Sequence, residues 1–353
     1  RVWRFNRWRR GYPARDHDRR RCDDWRWGGS HAGCASGRNL GRQPGAAADV
    51  SDEPAPPSPT LSILLLCWNH VAFLEPCISS VAKQALEGVE IVFLDNASID
   101  GSFEAAQSLF DQFGLEATML RNTQPDSIPA NFNRLLAASR GDLVAVLSTD
   151  DWYEPDYVAS VITATASHPE AGWFSCGGWL FFDDQQRSEQ VDETRFVTDR
   201  PVDEVILDGG EPHFFVGCAY RRSALTAVGG WDEGQLIEDR DLFLRLSRRF
   251  AHHRIAQRLV HYRRSSSAAS ANAAFMLKGW KRFFAKHAPA FGPRLAARRA
   301  ETYRSYAALL TDQGDHRAAA AAIARALRLR PMAALNWRTL AYLARRALWG
   351  PMK

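Results

Sequence analysis

The feature that most constrains this chain is an alternation that begins at Leu61. Short apolar runs take turns with stretches of helical spacing, and each run leads into polar residues. "LSILLLCW" leads to Asn69 and His70, "VEIVFLD" ends on Asp95, "EATMLRN" ends on Asn122, and "DLVAVLS" leads to Thr149, Asp150 and Asp151. Apolar runs this short and unbroken read as strands buried on both faces. The stretches Phe73 to Ala85, Asp100 to Gly114 and Ile128 to Ser139 read as helices, the second with Asp100 as N-cap and Gly114 as C-cap. Repeated strand–helix pairs predict a mostly parallel α/β sheet with helices on both faces. Ligands bind such sheets beyond the carboxyl ends of the strands, so Asn69, Asp95 and Asp150 are expected along one edge.

The flanks read differently. Residues 1–58 are rich in Arg and Trp, lack periodicity and run into the Pro-rich "DEPAPPSPT", which predicts a disordered tail. That tail has no apolar core of the kind a signal peptide carries. The longest apolar runs, Ile63 to Trp68 and Ala318 to Ala324, fall far short of the roughly 20 residues that a membrane span needs. Residues 266–353 read as a helical region. Within it "GDHRAAAAAIARALRLRP" sets Gly314, Ala319, Ile323, Ala326 and Pro331 at offsets that resemble the second half of a tetratricopeptide repeat, with Ala300 to Gln313 as its first helix. One such hairpin cannot bury its own face, so it is expected to dock on the preceding domain or on a helix from Ala334 to Leu348. An Ala-rich hairpin that simply closes the domain fits the same residues.

The net charge of +5 conceals a division. Residues 1–60 hold 12 Arg against 7 acids, residues 61–249 hold 13 basic against 30 acidic, and residues 250–353 hold 20 basic against 3 acidic. The acidic middle and basic end either complement each other across a domain contact or leave the basic helices to face anionic lipid, a phosphorylated substrate or a protein partner. Those basic residues are scattered over Ala-rich helices, so nucleic acid is not an expected partner. Cysteines at 22, 34, 67, 77, 176 and 218 form no CxxC pair and no zinc spacing. Read as reduced thiols, and with no span, they point to a cytoplasmic protein, with peripheral contact to the cytoplasmic membrane as an extension.

Adjacent Asp150 and Asp151 at a strand end need solvent, a partner or a metal. A divalent cation on a nucleoside diphosphate takes only one or two protein carboxylates. By itself "TDDWYEP" reads as readily as a solvated turn. The polar stretch from Asp95 to Asp100 follows the second strand, where a base or ribose can be recognised, although it also serves as a helix-capping turn. Further on, "GGWDEGQLIEDRDLFLRLSRR" sets Glu238 and Asp239 at the start of a helix whose Leu242, Phe243 and Leu246 share one face. Asp239 there is either an N-cap or, with Glu238 and Asp241 raising its pKa, a general base. Trp173, Trp179, His213 and Phe214 are either stacking surfaces for a sugar or core.

Taken in order, "SILLLCWNHVAFLEPCISSV", "EIVFLDNASIDGS", "ANFNRLLAASRGDLVAVLSTDDWYEPDYV", "RRSALTAVGGWDE" and "IEDRDLFLRL" resemble the family 2 glycosyltransferases, whose fold is of the GT-A type. The resemblance covers Pro59 to Arg264. It implies a catalytic domain at 59–265, between the tail at 1–58 and the α-helical extension at 266–353. It also implies transfer of a sugar, with inversion, from a nucleotide-diphosphate donor to a hydroxyl of a saccharide or lipid-linked acceptor in cell-surface polysaccharide or glycan synthesis. Cys67, Trp68, Asn69 and Asp95 would hold the nucleotide, and Asn133, which matches the family's Asn in the helix before the metal motif, would also bind the donor. Aligned on Pro155, the usual Asp-x-Asp makes Asp150 the ligand of Mg²⁺ or Mn²⁺ and Asp151 the acid after it. Ser148 stands where the family has its first Asp, on the donor's ribose side. Asp239, with Glu238 before it, matches the general base. "VHYRR", from Val260 to Arg264, lies where family members carry a mobile loop over the diphosphate, where His261 and Arg263 would either contact it or belong to a basic surface loop. Two other readings compete. A catalytically silent sugar-nucleotide-binding or scaffold protein of the same fold is favoured by Ser148 and opposed by Asp150 and Glu238-Asp239. A nucleotidyltransferase would show a Gly-rich phosphate loop after the first strand, which "CWNHVAF" lacks.

Overall fold

In the computed structural model, which describes residues 60–192, 200–211, 213–265 and 271–349 together with Phe196, the apolar runs pair as parallel strands. The tail expected over 1–58 lies outside the described residues. Strands β1 (Leu61–Cys67), β2 (Val89–Asp95), β3 (Ala117–Arg121) and β4 (Leu143–Ser148) lie in the order β3-β2-β1-β4. Along β1, Leu61, Ile63, Leu65 and Cys67 join one core cluster while Leu64 and Leu66 join another. That is the period of two required of a strand covered on both faces. The crossovers supply the covers. Helices α1 (Leu74–Ala82) and α2 (Ser102–Phe113) pack on the first face, and α3 (Ile128–Ala138) sets Phe132 and Leu135 on the second. The α2 cap differs slightly from expectation. Gly101 (φ 86°) holds the N-cap position, while Asp100 Oδ1 accepts the Ser102 N–H from one residue earlier (3.1 Å). Gly114 (φ 64°) ends the helix as expected.

Beyond β4 the parallel order gives way to a mixed one. The next elements are β5 (Trp152–Tyr153), α4 (Tyr157–Ser167), β6 (Ala171–Phe182), β7 (Arg187–Gln190), α5 (Val202–Leu207), β8 (Ala219–Arg221), α6 (Arg222–Ala227), α7 (Glu238–Ser247) and β9 (Ala251–Arg264). The sheet continues β4-β8-β6-β9-β5, with β7 on β6. Here β8 is antiparallel to β4 and β6, and β9 is parallel to β6. Val260 to Arg264, expected as a mobile loop, is instead the end of β9, laddered to β6 as far as Phe182 opposite Arg264. Trp173, His213 and Phe214 are buried, with Trp173 stacked on Phe243 and edge-on to His213. No sugar can reach them, so the core reading holds for these three aromatics.

Five helices follow: α8 (Ala273–Lys286), α9 (Ala288–Phe291), α10 (Leu295–Asp312), α11 (His316–Leu329) and α12 (Ala334–Trp349). The α10–α11 hairpin buries Tyr303, Ala307, Leu310, Ala319, Ile323 and Ala326 against Ala273 and Leu277 of α8 and Leu343 of α12. A two-helix unit needs such neighbours to cover its apolar face.

Candidate active site

The strand register gathers the expected residues. Cys67 lies opposite Asp95 and Leu66 opposite Ser148, so the loops after β1, β2 and β4 leave the sheet at one edge. They are stitched together there. Asn96 N–H donates to Cys67 O (2.8 Å), Thr149 N–H to Leu66 O (3.0 Å), Asn69 N–H to Ser98 Oγ (2.8 Å) and Ile99 N–H to Asn69 Oδ1 (2.9 Å). Asn69 (φ 54°) and Ala97 (φ 58°) are left-handed, a conformation that Asn tolerates and that costs Ala on the order of 1 kcal/mol.

At this edge Trp68 is 44% exposed, with Ile99 and Val71 exposed beside it. Cys67 is different. Strand alternation turns its side chain into the core, where burial raises its thiol pKa against the opposing hydrogen bonds from Thr149, Ser102 and the His70 backbone, and its carbonyl accepts the Asn96 N–H. The Cys67 side chain thus faces the core, which leaves its backbone as the part at the sheet edge. Asp95 is fully buried. Its Oδ2 accepts the Ser98 N–H (3.0 Å) and lies 3.7 Å from Arg121 Nε, whereas Oδ1 has no hydrogen-bond partner among the described residues. A buried acceptor left open in this way is costly until a donor meets it. Asn133 is a brace. Its Nδ2 donates to Trp231 O (2.8 Å) and Glu233 Oε1 (3.1 Å), and its Oδ1 accepts the Trp231 N–H (2.9 Å). Both ends of the amide therefore tie α3 to the loop before α7, so its described partners are protein groups rather than a donor. Gly230 (φ 66°) makes room for this contact, because a Cβ there would lie 2.7 Å from Asn133 Oδ1.

Asp150 and Asp151 diverge. Asp151 is buried and its Oδ1 accepts the Arg263 N–H (2.8 Å). Burial first, then the charge of Asp150, lifts its pKa well above the carboxylate range. Arg263 is itself buried. Its Nε donates to the Asp150 carbonyl (3.0 Å), its terminal nitrogen to Asp183 Oδ1 (2.5 Å), and its guanidinium lies over the rings of Phe73 (4.6 Å), Phe181 (5.0 Å) and Trp152 (5.1 Å). Arg263 thus clamps the turn from behind rather than standing on a surface loop or reaching toward a diphosphate. His261 is sandwiched between Trp152 (4.7 Å) and Trp179 (5.8 Å), with Nε2 on Glu154 Oε1 (2.5 Å).

The Asp150 carboxylate stays partly open, at 20% exposure. It lies 4.0 Å from His70 Nδ1, which is 2.9 Å from Thr149 Oγ1. Burial lowers the His70 pKa, against the pull of Asp150. Ser148 closes β4 half-buried, and its carbonyl accepts the Asp151 N–H (3.0 Å). Among the described residues, no three His, Cys, Asp or Glu side chains are grouped to hold a metal ion by themselves.

Glu238 and Asp239 open α7, half-buried in a recess. Burial, then the neighbouring Asp239 charge, pushes Glu238 up to about 8. Burial also raises Asp239, with Arg240 opposing and Glu211 adding to the rise. Asp241, expected to contribute to that rise, points elsewhere. It is fully buried and meets His287 Nε2, Lys286 Nζ and Arg245 Nε, each at 2.7 Å. Burial would raise its pKa, but these partners outweigh it and bring it to about 2. Asp239 lies near enough to Cys218 that its charge adds to the burial already raising that thiol. Cys218 immediately precedes β8, whose Ala219 lies opposite Ala145 of the antiparallel β4. Cys218 therefore stands near the end of β4, with Asp239 within electrostatic range of it and of Tyr220. A surface groove between α4 and β9, lined by Asp156, Ser160, Thr163, His168, His253 and Gln257 among others, shares none of these residues.

A family model described as Glycosyl transferase family 2 matches residues 62–229. The provisionally named glycosyltransferase EpsH of Bacillus subtilis is 24% identical over 173 residues, covering 48% of this chain and 49% of EpsH. The chain thus spans about half the length of that relative. The O-antigen biosynthesis protein RfbC of Myxococcus xanthus is 29% identical over 210 residues, 58% of this chain and 16% of RfbC. Among solved structures, the mannosyltransferase PcManGT from Pyrobaculum calidifontis, in complex with GDP-Man and Mn²⁺, aligns with a TM-score of 0.52 and 18% identity over 86% of this chain and 91% of that one. At that identity the likeness speaks for the fold, a curled, mostly parallel GT-A sheet flanked by helices.

Proposed function

We propose, from the match of residues 62–229 to the Glycosyl transferase family 2 model, that the protein transfers a sugar, with inversion, from a nucleoside-diphosphate donor to a hydroxyl of a saccharide or lipid-linked acceptor in polysaccharide or glycan synthesis. Residues 59–265 form the catalytic part in this reading and 266–353 its helical extension. The observation that best supports it is that the Asp95 and Asp150 ends leave the sheet at one edge, while Asp95, Asp150 and Asp239 present three chemically different states. Asp95 offers a buried, open acceptor, Asp150 a partly exposed carboxylate, and Asp239 a carboxylate of raised pKa.

On the donor side, Asp95 Oδ1 accepts an N–H of the base, the exposed Trp68 gives it a face, the Asn69 turn fixes the backbone around it, and the Ser148 hydroxyl faces the ribose. The residues present fit Mg²⁺ or Mn²⁺ held jointly with the donor rather than in a closed protein cage. Asp150 would hold the cation, with diphosphate oxygens and water completing its shell. When bound, such a cation stabilises the charge of the departing diphosphate. Asp151 serves by another route than coordination. It fixes the Arg263 backbone, and the Arg263 side chain in turn fixes the Asp150 carbonyl.

Asp239 acts as base. As the acceptor oxygen bonds to the anomeric carbon, the bond from that carbon to the phosphate oxygen breaks and the hydroxyl proton passes to the Asp239 carboxylate. Burial and the adjacent Asp239 charge push Glu238 up to about 8, which disfavours two negative charges on the pair. Calorimetric titration with UDP-sugars and GDP-mannose, with Mn²⁺ and then with chelator, tests this. The expected result is metal-dependent binding of a nucleotide sugar. The absence of binding to any of them in Mn²⁺ would overturn the donor reading.

A further inference from the structure

The turn between α11 and α12 has no part in sugar transfer, yet it is built with care. Met332 is 93% exposed, Trp337 55% and Leu335 39%, three large apolar side chains within six positions. The turn that presents them is held in place. Buried Asn336 donates through Nδ2 to the carbonyls of Ala326 (3.1 Å) and Arg330 (3.0 Å), satisfying the end of α11. Trp337 Nε1 donates to Pro331 O (2.7 Å), which seats the indole on the turn while leaving the ring open to solvent. Arg328, Arg330 and Arg338 flank these residues, are exposed, and form no ion pair with any described residue. No Asp or Glu follows Asp315 in the sequence.

We propose that this turn docks on a lipid bilayer bearing anionic headgroups. Met332, Leu335 and Trp337 enter the interfacial layer, while Arg328, Arg330 and Arg338 meet the lipid phosphates. Trp favours that layer because its ring is apolar and its N–H polar, and here the N–H is already satisfied by Pro331. Stable attachment to a membrane surface needs two signals, apolar insertion and charge, and the turn supplies both. No helix among the described residues is long and apolar enough to cross a membrane, so the contact is peripheral. Lipid fits better than a protein partner because the positive charge flanks the apolar residues on both sides of the turn and no carboxylate within it offers a specific pairing. The inference stands independently of the sugar-transfer reading. If both hold, the membrane surface is where a lipid-linked acceptor would be met.

The test is flotation of the full chain with phosphatidylcholine vesicles, with and without phosphatidylglycerol, at low and high salt. Binding is expected with phosphatidylglycerol and should weaken as salt rises. The triple variant Arg328→Gln, Arg330→Gln, Arg338→Gln should lower the partition coefficient about a hundredfold at low salt. None of the three guanidinium groups has an ion pair among the described residues, so a matching thermal melt serves as the folding control. Met332→Ser with Leu335→Ser should lower binding at both salts. Lipids brominated in their acyl chains should quench the tryptophan fluorescence of the parent more than that of Trp337→Phe. Residues 1–58 carry 12 Arg and can reach the same vesicles by charge, so the deciding quantity is the difference between parent and variants. The proposal is overturned if the folded variants partition like the parent, if the parent ignores anionic vesicles, or if the turn binds an acidic protein and no vesicle.

Discussion

The turn after β4 and the first turn of α7 each carry clustered carboxylates, and in each cluster one acid is turned away from the sheet edge into the interior. At the β4 turn this is Asp151, and on α7 it is Asp241. Both are almost inaccessible to solvent, yet their chemistry is opposite. The pKa of Asp151 is raised well above the usual range, whereas that of Asp241 falls to about 2. The difference lies in what reaches each carboxylate. Asp241 is met by Lys286, Arg245 and His287, which compensate a full negative charge. Asp151 receives one backbone N–H, while the guanidinium beside it is directed at the Asp150 carbonyl and Asp183. Burial alone therefore does not tell whether an interior acid is charged; its partners decide.

The largest effect expected from this comparison belongs to an acid that stays toward the surface. Asp239→Asn removes the base while keeping shape, and turnover should fall about 10²- to 10⁴-fold. Donor affinity in Mn²⁺, read by calorimetry, should stay nearly unchanged. Full turnover in this variant would show that the wrong member of the α7 cluster has been chosen. The two interior acids come next, and unfolding in urea separates them. Asp241→Asn leaves Lys286 and Arg245 facing a neutral group and should cost roughly 3 kcal/mol. Asp151→Asn keeps an acceptor for the Arg263 N–H at a site that already disfavours charge, and should cost less than about 1 kcal/mol. The pH dependence follows the same logic. The Asp241 pKa is depressed, so its stabilisation is present above its ordinary value of 3.8 and is lost as pH falls through that range toward 2. Equal costs for the two variants would dissolve the distinction.

How far the sequence foretold all this depends on the distance between partners. The parallel core was legible because β1, β2 and β4 are covered on both faces and so appear as unbroken apolar runs. Asp95 and Asp150 were legible because they follow those runs. The inward turn of Cys67 was within reach of the same reasoning, since alternation groups it with Leu65 rather than with the loop. The clamps were not. Arg263 meets Asp151 across 112 residues, and only once β9 has paired with β6. Asn133 reaches Trp231 across 98 residues, and Asp241 finds His287 across 46. Local pattern carries no record of such pairings. For that reason the sequence reading gave Asn133, Arg263 and Asp241 roles at the ligand or the base, where the fold uses each to hold one element against another.

Glu238 offers the finest test of the contrast between charged and neutral interior acids, because it stands beside the base yet behaves like Asp151. Burial and the Asp239 charge raise its pKa from 4.5 to about 8. A carboxyl whose folded pKa lies above its unfolded value stabilises the fold fully below the unfolded value, and that contribution is lost as pH rises through the folded one. The stability attributable to Glu238 should therefore be complete near pH 4.5 and should drain away toward pH 8. Glu238→Gln cannot ionise and keeps the shape of the protonated acid. Its melting temperature should match that of the parent at the acid end and exceed it by a growing margin as pH approaches 8. Melts at stepped pH read the margin directly. A constant offset between the two proteins across that range would mean that Glu238 is charged throughout, like Asp241, and that the first turn of α7 holds both carboxylates open to solvent.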